Sequence, residues 1–168
     1  QGHSTLFDPQ GSGTKVRIDA DGLKFGTDTA AANALNDYEE GTWTPAINGR
    51  SFGAALGSYT KIGRLVTVYY DCNTMSGGNI TNPDLHGLPF TASNSMTGNY
   101  GGYMMIHEPA GINVTSGFTY VYFRVIKNSS TAQMLQGGGT GSTVSHNGGV
   151  VMSNGNNFRG IGQYYTDA

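Results

Sequence analysis

Arg64-Leu65-Val66-Thr67-Val68-Tyr69-Tyr70-Asp71-Cys72-Asn73 decides the fold class of this chain. Val66, Val68, Tyr70 and Cys72 fall on one face at a spacing of two. Leu65, Thr67, Tyr69 and Asp71 fall on the other, which is the pattern of a strand covered on one side. Gly117 to Lys127 repeats it, with Val121, Phe123 and Val125 against Phe118, Tyr120, Tyr122 and Arg124. Tyr100–His107, Val150–Met152 and Phe158–Tyr165 are further strand candidates. They are separated by breaks such as Ser76-Gly77-Gly78-Asn79, Gly137 to Gly141, Asn147-Gly148-Gly149 and Asn154-Gly155-Asn156-Asn157. Short strands with turn signals every ~8–12 residues predict an all-β chain, with an antiparallel β-sandwich or jelly-roll-like head over 42–168.

Composition agrees. The chain has 168 residues, of which 27 are glycine, and only 12% are charged. Usual shares are about 7% and about 25%. The 37% hydrophobic and 11% aromatic content suffices for a core and argues against disorder. The net charge is −2 and the nine basic residues are scattered, which disfavours nucleic-acid binding. No apolar stretch approaches 18 residues and no basic amphipathic helix is apparent, so membrane insertion is not expected. Cys72 is alone and sits on an apolar strand face, so it reads as a buried, inert thiol.

Ahead of the head, residues 5–41 read as a stem. Gln1-Gly2-His3-Ser4 reads as a cleavage scar and the remainder as the end of a longer protein. Residues 14–26 predict a hairpin: Val16 and Ile18 alternate with Arg17 and Asp19, and Leu23 and Phe25 follow the Asp21-Gly22 turn. Residues 28–38 predict a short α-helix capped by Asp28 or Thr29 and closed by Gly41, with Ala31, Leu35 and Tyr38 on one face. Neither a lone hairpin nor three turns of helix is stable in water. The stripe of Ala31, Leu35 and Tyr38 must pack either on two copies of itself around a threefold axis or on its own β-body.

Three pieces of sequence add a resemblance. Asp37-Tyr38-Glu39-Glu40-Gly41-Thr42-Trp43-Thr44-Pro45, Gly57-Ser58-Tyr59-Thr60-Lys61-Ile62-Gly63-Arg64-Leu65-Val66-Thr67-Val68 and Gly87-Leu88-Pro89-Phe90 resemble the C-terminal regions of bacteriophage tail-fibre and tail-spike proteins. The closing Ile161-Gly162-Gln163-Tyr164-Tyr165-Thr166 is similar to that family's last strand. The resemblance covers most of 35–90 and thins afterwards, notably at Met96–Pro109 and Gly137–Asn157. It implies a homotrimer with a thin stem and a β-rich head at the tip of a virion's tail fibre. Its partners would be the rest of the fibre and a host surface. The matching positions look structural, so the resemblance supplies no binding residues.

Candidate chemistry was weighed on the residues themselves. A glycan-cleaving site needs two carboxylates roughly 5–10 Å apart. Beyond residue 50 only Asp71, Asp84, Glu108 and Asp167 are available, Asp84 near His86 and Glu108 beside His107. Turn capping explains these more simply, and no enzyme is expected. Asp19-Ala20-Asp21-Gly22 lacks the remaining ligands of a calcium loop and reads as a turn. His86, His107 and His146 show no metal-ligand spacing, so neither a metal nor another cofactor is expected.

The tyrosines remain. Sugar rings stack their C–H edges on aromatic faces, and Asn, Glu and His bind hydroxyls. Tyr100, Tyr103, His107 and Glu108 therefore form a candidate carbohydrate site, and Tyr120, Tyr122 and Arg124 a second face suited to sugar or to a subunit interface. The expected function is attachment to a host cell-surface glycan, a lipopolysaccharide or capsule. The alternatives are a structural trimerisation cap and, third, a glycan-degrading enzyme.

Overall fold

The computed structural model describes residues 5–7, 16–30, 34–35, 37–81, 83–98, 100–109, 112–139, 151–155 and 157–167. The chain is all-β, with no helix among these residues. It divides into two compact units, 1–39 and 40–168.

The smaller unit contains Thr5–Phe7 (β1), Val16–Asp19 (β2) and Gly22–Phe25 (β3), a three-stranded sheet in that order. The expected hairpin forms, with Asp19 opposite Gly22, so Ala20 and Asp21 make the turn. Gly22 takes φ 123°, a value that suits glycine. The carboxylates of Asp19 and Asp21 hold no foreign cation site: Lys24 Nζ lies 3.2 Å from both oxygens of Asp19 and 2.5 Å from Asp21 Oδ2. This pairing lets a lysine side chain be fully buried. The hydrogen bond that Lys24 donates to Asp21 leads the causes that raise the Lys24 pKa. The apolar side of the hairpin is the open one, with Ile18 55% and Phe25 62% exposed.

The helix expected over 28–38 is a correction. Asp28 Oδ1 does accept the Ala30 N–H at 2.9 Å, but as a local turn that competes with a helix. Leu35 instead pairs with Leu23 through two backbone hydrogen bonds of 3.1 and 2.8 Å, and Tyr38 begins a strand. A short alanine-rich segment has little to hold a helix, and at Leu35 sheet pairing satisfies the backbone instead. Leu35 and Tyr38 are 41% and 59% exposed, and Ala31 lies outside the described residues.

The larger unit is built on a nine-stranded antiparallel sheet. Its strands are Tyr38–Trp43 (β4), Ala46–Ile47 (β5), Ala54–Ile62 (β6), Leu65–Asn73 (β7), Asp84–His86 (β9), Tyr100–Pro109 (β10), Tyr120–Ile126 (β12), Thr131–Gly137 (β13) and Phe158–Tyr165 (β15). Ile80–Thr81 (β8), Ile112–Asn113 (β11) and Val151–Met152 (β14) form a small second sheet. The large sheet runs β4-β6-β7-β15-β10-β12-β13-β9-β5. Its edge strands β4 and β5 are joined by only Thr44 and Pro45. A flat sheet would set those edges about 38 Å apart, whereas three Cα steps span at most about 11 Å. The sheet must therefore curl, and the core shows it: Trp43 and Ile47 from opposite edges share one cluster with Val68, Tyr70, Phe123 and Phe158.

Period two holds on β7 and β12. Val66, Val68, Tyr70 and Cys72 are fully buried, as are Phe123 and Val125. Burial pushes the Cys72 thiol up to about 12, with Asp71 adding to it. Tyr70, Phe123 and Phe158 stack at ring separations of 5.5–6.3 Å, and Tyr70 Oη donates to the Met105 carbonyl at 2.9 Å. Gly160 makes the room, since a Cβ there would collide with Tyr70 and the Met105 carbonyl.

Trp43 lies flat against Gly57 and donates Nε1–H towards the carbonyls of Ser58 (3.3 Å) and Tyr69 (3.2 Å). The pieces singled out in the sequence also meet. Tyr59 packs edge-on to Phe90 at 5.2 Å, and the Lys61 ammonium lies 5.3 Å from the same ring. Tyr164 Oη accepts the Phe90 N–H at 3.0 Å and donates to the Phe90 carbonyl at 3.1 Å.

Candidate functional site: the outer face of strands β10 and β12

β10 and β12 are neighbours, with Tyr103 opposite Arg124, Met104 opposite Phe123 and Met105 opposite Tyr122. Because Met104, Phe123 and Val125 are drawn into the core, Tyr103, Met105, Tyr120, Tyr122 and Arg124 must face away from it. Tyr100 and Tyr103 are three apart and would normally point to opposite faces. A register shift between Tyr100 and Gly102 resets the parity. Gly102 fits because its missing Cβ leaves space for the Tyr164 backbone.

Tyr100 and Tyr103 of the first candidate group thus share one surface with Tyr120, Tyr122 and Arg124 of the second. The Arg124 guanidinium lies 3.6 Å from the centre of the Tyr100 ring. The Tyr103 ring lies 6.1 Å from that of Tyr122, and the Tyr122 ring 6.0 Å from that of Tyr120. Tyr103 and Tyr120 are 59% and 53% exposed. Arg124 Nη2 donates to Gln133 Oε1 at 3.0 Å, which fixes the guanidinium plane. Partial burial raises the Tyr122 pKa against the opposing effect of Arg124, so the hydroxyl stays a neutral donor and acceptor.

His107 is placed elsewhere. It is exposed at the far end of β10 and lines a cleft of about 390 Å³ with Tyr69, Met105, Arg159 and Ile161. Glu108 pairs through its backbone with Arg159, and its side chain lies outside the described residues. Several contributors were not singled out from the sequence: Gln163 and Tyr165 of β15, Tyr69 of β7, Met105 and Ile161. Period two along Ile161-Gly162-Gln163-Tyr164-Tyr165 carried that signal, because burial of Gly162 and Tyr164 turns the odd positions outward.

The remaining carboxylates are engaged. Asp71 faces Arg159 at 3.6 Å. Asp167 accepts from Ser93, from the Asn94 N–H at 2.8 Å and from Ser95 at 3.0 Å, and pairs with Arg64 at 2.8 Å. The Ser93 hydrogen bond leads the causes that hold its pKa down at about 2. Asp84 and His86 share one side of β9 and line a cleft of about 380 Å³ with Pro83 and Asn48. His86 Nδ1 lies 3.2 Å from Thr131 Oγ1. Among the described residues no three His, Cys, Asp or Glu side chains gather as metal ligands.

Comparison with protein-family models, with characterised proteins and with solved structures gave no match.

Proposed function

We propose that this chain is the tip region of a bacteriophage tail fibre or spike and attaches the virion to a host cell-surface glycan, a lipopolysaccharide or capsule. The resemblance of residues 35–90 motivates the reading. The observation that carries it is the fused aromatic surface of Tyr100, Tyr103, Tyr120 and Tyr122 around Arg124. Rings presented side by side on a rigid sheet offer stacking faces for sugars, and the hydroxyls, guanidinium and Gln163 amide offer hydrogen-bond partners. No reaction or cofactor is required. The curled sheet would belong with sandwich or jelly-roll-like heads, and three copies would assemble into one fibre end. Weak sites repeated threefold, and again over several fibres, raise the overall strength of attachment by orders of magnitude.

A glycan array probed with the assembled protein tests this. Binding to a bacterial surface polysaccharide is expected, with loss of binding in Tyr103→Ala at unchanged oligomeric state. An array without a binder would refute the attachment reading.

A second reading is a trimerisation cap without receptor contact. The exposure of Tyr69, Met105 and Ile161 (44, 64 and 51%) favours it, because apolar rows of this kind also mark subunit contacts. Tyr103→Ala would then break the oligomer and leave no glycan phenotype.

A further inference from the structure

Three clefts lie in a row along β10. The first, about 390 Å³, is floored by Gly101 and Gly102 and walled by Tyr100, Tyr103, Tyr165 and the Met96–Gly98 loop. Lys127 Nζ pins that loop through the carbonyls of Met96 (2.6 Å) and Gly98 (2.9 Å). The second, about 590 Å³, lies among Tyr103, Met105, Tyr120, Tyr122 and Ile161. The third is the His107 cleft. Tyr103 and Gln163 line both the first and second, and Met105 and Ile161 line both the second and third. The clefts are therefore one track from Tyr100 to His107, roughly 20 Å long at strand spacing. A single sugar ring would fill a fraction of it; a chain would fill it all.

Among the described residues the lining of the track carries basic side chains, His107 and Arg159 at one end, and no acidic one. Arg124 pairs with Tyr103 in register and borders the first cleft, its guanidinium lying over Tyr100. In register the acid nearest Arg124 is Asp84, two strands away beyond Gln133, while Asp71 pairs with Arg159 and Asp167 with Arg64. Arg124 has no ion-pair partner among the described residues. Its Nε is buried without a hydrogen bond, and only Nη2 is engaged, by a neutral amide. A guanidinium held over Tyr100, with Nε buried and Nη1 left to donate, suits a carboxylate.

We infer that the ligand is an extended acidic polysaccharide, lying along β10 with the carboxylate of a uronic or sialic acid unit at Arg124. This rests on the attachment reading above and names the class of glycan it takes. Sugar rings stack on Tyr103 and on the Tyr120–Tyr122 pair, and Met105 and Ile161 carry the chain into the third cleft.

The test uses the assembled protein and isothermal calorimetry. The probes are fragments of uronate- and sialate-containing bacterial polysaccharides, graded from disaccharide to octasaccharide, each with its carboxyl-reduced counterpart. Affinity should climb with length until the track is full. Carboxyl reduction should weaken binding on the order of tenfold, the scale of a lost charged hydrogen bond. Arg124→Gln should erase that difference, and Met105→Ala should weaken long fragments while sparing the shortest. Equal binding of acidic and reduced fragments, or of disaccharide and octasaccharide, overturns this inference and leaves glycan attachment standing. If no polysaccharide of either kind binds, both fall. Loss of the oligomer in Met105→Ala would make the track a contact between copies and overturn the inference as well.

Discussion

Replacing Tyr164 with Phe removes one oxygen atom and should cost the head a large share of its stability. The Tyr164 side chain is 1% exposed, and its hydroxyl serves both polar groups of the Phe90 backbone, at 3.0 and 3.1 Å. Phenylalanine keeps the ring in place and brings no replacement donor or acceptor. A backbone N–H and a C=O are then stranded in the wall of the core, at about 1–3 kcal/mol for each group left unmade. Phe90 is only partly buried, so water can recover some of this. A net loss of about 2 kcal/mol is the expectation. For a unit of this size that corresponds to a fall in Tm on the order of 5–10 °C. Urea unfolding followed by tryptophan fluorescence reads the same loss, because Trp43 belongs to the same core cluster. The m-value should not change, since the folded state stays as compact. If Tyr164→Phe unfolds within about 0.5 kcal/mol of the parent, a scale at which surface changes fall, the hydroxyl is not the tie between the closing strand and the Gly87–Phe90 turn. The convergence of those pieces would then be packing alone.

Two further predictions follow from charge and from exposure. Asp167 has its folded pKa held near 2, below its ordinary 3.8, chiefly by Ser93. Its contribution to stability is therefore complete above about pH 4 and disappears as pH falls towards 2. The difference in Tm between the parent and Asp167→Asn should shrink across that window, and a difference that stays constant would refute the assignment. Ile18→Ser with Phe25→Ser removes the two most exposed apolar side chains of the hairpin (55% and 62%). Sedimentation should show the assembled species of the parent replaced by single chains, and an unchanged assembly would locate self-association elsewhere.

The head was legible because its physics is periodic. Burial of Val66, Val68, Tyr70 and Cys72 against exposure of Tyr69 is written in a spacing of two, and the sheet adopts it. The helix was misread because Ala30 to Ala34 state a preference only. That preference is worth a few tenths of a kcal/mol per residue, less than the pairing that Leu35 finds on Leu23. The hairpin was read in the right place, but its burial was not: Lys24 lies inside and Phe25 outside, because Asp19 and Asp21 neutralise the lysine through contacts that no hydrophobicity pattern encodes. The site was half legible. Tyr100, Tyr103, Tyr120, Tyr122 and Arg124 were named as two groups, and only strand order shows that β10 and β12 are neighbours. Gln163 and Tyr165 join them because β15 flanks β10 on its other side, an adjacency about 60 residues distant in the chain.

The exposed side of the hairpin and the outer face of β10 and β12 differ in kind, and that difference bears on the proposed assembly and attachment. The open side of the hairpin presents Ile18 and Phe25 with Val16 and Leu23 in register beside them. Among the described residues the polar side chain on this side is Thr5, opposite Ile18, and the rest has the composition of an interface core. On the outer face of the head Thr67, Gln163, Tyr103, Arg124 and Gln133 stand in one continuous register, a ring among polar groups, beside a second row of Tyr69, Ile161, Met105 and Tyr122. Buried between subunits, Arg124 would need a carboxylate at contact distance: Asp84 stands two strands away beyond Gln133, and Asp71 and Asp167 are paired elsewhere. An uncompensated guanidinium inside an interface costs several kcal/mol. The same guanidinium beside an acidic sugar at a wet surface costs little and selects its ligand. The proposed assembly is therefore best sought at the hairpin, and the proposed glycan contact on the face of β10 and β12.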